Sequence, residues 1–89
     1  MAFEFDENKS NSNLLKHGID FHTAQALWLD AQAVEIKVLH TDEQRFVVIG
    51  LLGDRHWTAV ITYRNENIRI ISVRRARKNE VAFYESERI

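Results

Sequence analysis

The sequence predicts an α+β domain, with two N-terminal helices and a C-terminal helix packed on a mainly antiparallel sheet. Three observations carry this expectation. Capping residues and a glycine bracket helical stretches in the first third of the chain, and the remainder switches to a two-residue hydrophobic period. Short polar turns then separate the successive strands, which is the pattern of a meander.

Phe3-Glu4-Phe5 alternates as a short strand does. Asp6-Glu7-Asn8 offers N-cap and first-turn chemistry for a helix over residues 9–17. Gly18 is its stop, since glycine takes the left-handed conformation that closes a helix, and Ile19 can pack back on the last turn. Asp20 caps a second helix over 21–29, where Phe21, Ala24 and Trp28 form a stripe at three- and four-residue spacing.

Strands follow at 34–38, 45–52, 56–64 and 68–75. Gly53-Asp54 makes a compact turn before the third of these, and Asn65-Glu66-Asn67 makes a tight connection before the fourth. A terminal helix over 78–86 can lay Val81, Phe83 and Tyr84 on the sheet. The connection at 65–67 leaves the register open. A two-residue turn puts Arg64 on one face with Arg69, Ile71, Val73 and Arg75, whereas a three-residue turn groups it with Ile68, Ile70, Ser72 and Arg74.

The 89 residues suffice for one domain, spanning 1–89, and the 45% hydrophobic and 28% charged content is that of a folded globular chain. With no cysteine, neither disulfides nor thiolate metal ligands are available. The opening MAFEFDENKS is not a secretory apolar region, and no apolar run approaches the roughly 20 residues of a membrane span. The expected location is cytoplasmic. Net charge is −1, but its distribution is uneven. Residues 1–44 hold three Lys/Arg against eight Asp/Glu, and residues 45–89 hold nine against five. Six cations and one acid, Glu66, lie between Arg64 and Lys78, a segment able to attract a polyanion.

FEFDENK at the start, NLLKHGIDF at 13–21, RFVVIG at 45–50 and ITYRNENIRIISVRRARKNEVAFYE at 61–85 together resemble the BrnT toxins. The resemblance covers nearly the whole chain in the family's order. It implies a RelE-like fold and the activity of a type II toxin–antitoxin ribonuclease that inhibits translation. It also implies a ribbon-helix-helix, BrnA-like antitoxin, whose complex with the toxin binds operator DNA and represses its own operon.

Metal-independent RNA cleavage needs a base for the 2′-hydroxyl, positive charge at the phosphorane and an acid at the leaving oxygen. Arginine supplies the charge through a planar fork, so Arg64, Arg69, Arg74 and Arg75 are the candidate stabilisers. The expectation is that guanidiniums from two neighbouring strands point at one shared spot; the competing reading is a solvated strand end bridged to Glu80, Glu85 or the acidic N-terminal third. His17 is the candidate proton shuttle, since histidine changes charge near neutral pH, with Lys16 on phosphate. Alternatively His17 only complements the dipole of its helix's last turn.

Lys9, Arg77, Lys78 and Tyr84 are further RNA-binding candidates, although a tyrosine on that helix more commonly packs on the sheet. His22, His40 and His56 lack ligand spacing, so no metal and no cofactor is expected. Trp28 reads as core, and Trp57 as core or interface before base stacking. The alternative function is a non-catalytic module that grips nucleic acid or an acidic protein with the same basic face.

Overall fold

A computed structural model describes residues 2–39 and 42–87; His40 lies outside the described residues. The elements in chain order are β1 (Phe3–Glu4), α1 (Glu7–His17), α2 (Phe21–Ala24) continued by a 3₁₀ turn (Gln25–Leu29), β2 (Val34–Val38), β3 (Arg45–Leu52), β4 (Arg55–Arg64), β5 (Asn67–Arg75) and α3 (Lys78–Ser86). The sheet order is β1-β5-β4-β3-β2, antiparallel throughout except that β1 joins β5 in parallel. This is the expected α+β architecture.

The caps act where the sequence places them. Asp6 accepts from the backbone N–H groups of Asn8 and Lys9 at 2.8 and 3.1 Å, opening α1. Gly18, at φ +82°, closes it while its N–H reaches the Leu14 carbonyl at 2.9 Å. Asp20 caps α2 through Thr23 N–H at 2.7 Å. The second helix, however, stays α-helical for only one turn and then tightens to 3₁₀. Three residues per turn move the buried stripe to Phe21, Ala24 and Leu27, leaving Trp28 half-buried. Gly50 makes room for this turn, since a Cβ there would meet Leu27 Cδ2 at 3.2 Å.

The β4–β5 turn is Asn65-Glu66, both at positive φ (51° and 73°), so Arg64 faces Asn67 across the hairpin. Strict alternation would then place Arg75 with Arg64 and Arg69. A bulge intervenes: Ile61 pairs with Ile70 and Val60 with Ser72, leaving Ile71 as an extra residue. Beyond it the parity reverses. Ala59, Ile61, Ile68, Ile70 and Val73 face α1 and α2, and Arg75 lies on that side with Trp57. Thr58, paired with Arg74, lies on the opposite face beneath α3.

Two side chains stand in for missing strands. The Val73 N–H and C=O, beyond the reach of β1, are bound by buried Asn13, whose amide accepts at 3.2 Å and donates at 2.9 Å. The same amide donates to the Ile19 carbonyl at 2.8 Å. Leu51 N–H, beyond the start of β2, donates to Asp30 at 2.8 Å. On α3, Tyr84 is buried and donates to the same Asp30 oxygen at 2.7 Å, whereas Phe83 is 41% exposed rather than laid on the sheet.

Candidate nucleic-acid interface

The hairpin end of the sheet gathers two guanidiniums. Arg69 pairs with Thr62 and Arg64 with Asn67, so both arginines project from the α3 face of adjacent strands. Both reach one oxygen of Glu4 on β1, Arg69 Nη1 at 3.4 Å and Arg64 Nε at 3.7 Å, while Asn67 Nδ2 donates to the other at 3.3 Å. One carboxylate between two arginines leaves a net positive charge, and neither fork is fully used. A phosphate in the place of Glu4 would find the same donors.

Arg74 does not join them. Five residues of strand separate it from Arg69, about 16 Å, more than one phosphate can span. Its guanidinium instead grips Glu80 with two bonds of 2.7 and 2.9 Å. Glu80 also accepts from Arg77 N–H at 2.8 Å, closing the first turn of α3, and from the Thr58 hydroxyl at 3.0 Å. Arg74 therefore holds α3 to the sheet, and its substitution would disturb the fold along with any phosphate contact.

The Arg74 guanidinium, helped by the Arg77 amide and Thr58, holds the Glu80 carboxyl down to about 2. A depressed folded-state pKa stabilises above the unfolded value of 4.5, and that contribution fades as pH falls toward 2. After solvent screening of a partly accessible pair, this contribution is about 1–2 kcal/mol. Unfolding free energies from urea titrations should fall by that amount more between pH 6 and pH 2 in the native protein than in Glu80→Gln, which has no carboxyl to titrate.

Arg75 is on the helix side. Its guanidinium carbon lies 5.5 Å from the centroid of the Trp57 ring, and the residue is exposed to solvent. The shared spot expected for four arginines thus forms from Arg64 and Arg69 alone: the bulge turns Arg75 to the other face, and Arg74, on their face, is too far along the strand. His17 follows Asn13 by one turn on the same side of α1. The chain advances from Phe3 opposite Ile68 to Asn13 on Val73, so α1 runs along β5 in its own direction. His17 and Arg75 consequently sit at one end of the sheet, with exposed Lys16 beside them in the helix's last turn.

Arg77 and Lys78 are exposed at the N-terminus of α3, the end of a helix where cations are unfavourable. Lys9 is exposed in the first turn of α1. Tyr84 is a correction: at 1% exposure and bonded to Asp30, it offers no ring face to RNA. His22 and His56 are engaged singly, with Glu7 at 3.0 Å and Glu85 at 3.3 Å. Among the described residues no three His, Cys, Asp or Glu side chains come together.

Sequence reasoning missed Glu4, because a parallel edge strand 65 residues from its partner leaves no local signature. It also missed a cleft of about 400 Å³ on the helix side of the hairpin end, lined by Trp28, Glu35 and Tyr63 among others. There the Tyr63 hydroxyl donates to Glu35 Oε1. Burial first, then the Glu35 carboxylate, push the Tyr63 phenol up to about 12, so it remains a donor across the physiological range.

No helix of the described residues is long and apolar enough to cross a membrane. A family model described as "Ribonuclease toxin, BrnT, of type II toxin-antitoxin system" matches residues 5–80. That span takes in every cation named above and ends at Glu80, leaving Glu4 and Tyr84 outside it. No curated protein matches the chain.

Proposed function

The chain belongs to the BrnT ribonuclease toxins of type II toxin–antitoxin systems, and on that premise we propose that it is a metal-independent endoribonuclease that blocks translation. The observation that carries this reading is Arg75. It is exposed and lies over Trp57, at the end of the sheet where the Lys16-His17 step also lies. In the proposed reaction the 2′-oxygen attacks phosphorus and the bond to the 5′-oxygen breaks, leaving a cyclic phosphate. His17 handles the proton of the 2′-hydroxyl or of the leaving oxygen, Arg75 faces the charge of the phosphorane, and Lys16 holds the scissile phosphate.

Arg77 and Lys78 extend the basic surface toward α3, and Arg64 with Arg69 binds a second phosphate on the other face of the sheet, at its hairpin end; Lys9 adds weaker attraction. The antitoxin is proposed to be a BrnA-like ribbon-helix-helix protein that neutralises the toxin by covering these cations. Operator DNA would be bound through the antitoxin. Purified protein should cut labelled RNA in the presence of a chelator. Retention of intact RNA that weakens with salt would instead support a module that binds without cutting.

Glu4 competes with phosphate for Arg64 and Arg69, so Glu4→Gln should tighten RNA binding by about three- to ten-fold at low salt. Filter binding across a salt series reads this directly. An unchanged affinity would remove both arginines from the RNA path.

A further inference from the structure

The cleft at the hairpin end has features that phosphate binding does not use. Val48 and Ile68 of the sheet line it, as does Trp28 of the 3₁₀ turn. Trp28 is fixed edge-on to Phe3 at a centroid distance of 5.0 Å. Two carboxylates line the space, and they differ. Asp30 is occupied, taking Leu51 N–H and the Tyr84 hydroxyl on one oxygen and Gln32 N–H on the other. Glu35 is exposed and receives Tyr63 on Oε1. A carboxylate has about four lone-pair sites, so both Glu35 oxygens retain accepting capacity.

A flat ring between an indole and aliphatic side chains, read at its edge by a carboxylate, is how proteins hold an unstacked base. Among the four RNA bases, guanine alone places two adjacent N–H donors on its Watson–Crick edge, N1–H and N2–H, matching two carboxylate oxygens. Adenine and cytosine set one amino group beside a ring acceptor that a carboxylate repels. Uracil has one N–H between two carbonyls. The same hairpin end carries Arg64 and Arg69, each next in sequence to a cleft residue, Tyr63 and Ile68. Both arginines project from the opposite face of those strands, so the base is read in the cleft without them.

We propose that this cleft is a guanine subsite, in which Glu35 pairs with N1–H and N2–H of one unpaired guanine and Trp28 covers its ring. The inference rests on RNA as the substrate class, and it adds a base preference to that reading. Tyr63 is a positioning residue, orienting the Glu35 carboxylate.

The test is a titration of ¹⁵N-labelled protein with GMP, AMP, CMP and UMP, following the Trp28 indole signal. All four carry the same phosphate, so a difference reports the base. GMP should bind about ten-fold more tightly than the others and shift Trp28, and Glu35→Gln should erase that preference while the spectrum stays folded. Equal affinities, or shifts confined to residues outside the cleft, would overturn the proposal even if no variant folds. Cleavage of RNA together with equal affinities would sink the subsite and leave the ribonuclease reading standing. Selective GMP binding without cleavage would do the reverse.

Discussion

Arg75→Ala is expected to lower RNA cleavage by about 10²–10³-fold, the usual cost of removing one donor aimed at charge developing in a transition state. Trp57 should keep its place in the core, because it is only 7% exposed while Arg75 itself is exposed. Circular dichroism and the urea midpoint should therefore change little. His17→Ala should reduce cleavage by about 10²–10⁴-fold as a lost proton shuttle. A variant of Arg75 that cleaves at the native rate would move the reaction away from this end of the sheet. Arg74→Ala is the informative contrast, since it should lose stability through Glu80 together with activity.

Asn13→Ala should be the most destabilising single substitution considered, costing about 3–5 kcal/mol. It deletes three buried hydrogen bonds and leaves the Val73 amide and two carbonyls without partners, each a desolvation cost of about 1–3 kcal/mol. Domains of this size have only about 5–15 kcal/mol in total. Denaturant unfolding should show a much lower midpoint at unchanged slope. A shift under 1 kcal/mol would mean that water replaces the amide and that the helix-to-strand clamp is not essential. Asn13→Asp should be no better, because it exchanges the donor for an acceptor facing the Ile19 and Val73 carbonyls.

The elements were legible in the sequence because their signals are local. Asp6, Asp20 and Gly18 sit at helix ends and cap them, and α3 runs over the residues expected of it. The 3₁₀ turn was less so, since Leu27 and Trp28 are neighbours and only the tightening decides which is buried. The bulge left a trace in the apolar positions 68, 70 and 73, whose spacing breaks a strict two-residue repeat. That trace is faint because Ile71 is also apolar. The pairing of Arg64 and Arg69 with Glu4, and of Tyr63 with Glu35, joins residues 28 to 65 positions apart. Such meetings depend on strand order and face, which no short motif encodes. Of the candidate site, the cations were visible one by one, while their division between two faces was not.

Ile71 stands between two pairs, Ile61 with Ile70 and Val60 with Ser72, that would become consecutive rungs if it were deleted. The strand can therefore lose one residue there and still deliver Arg74 to Glu80 and Arg75 to Trp57. A one-residue deletion at Arg69 would draw on the same slack but turn Ile70 out to the α3 face and remove one of the two arginines on Glu4. Length variation among natural variants of this strand should accordingly concentrate at that rung, where the ladder already carries slack.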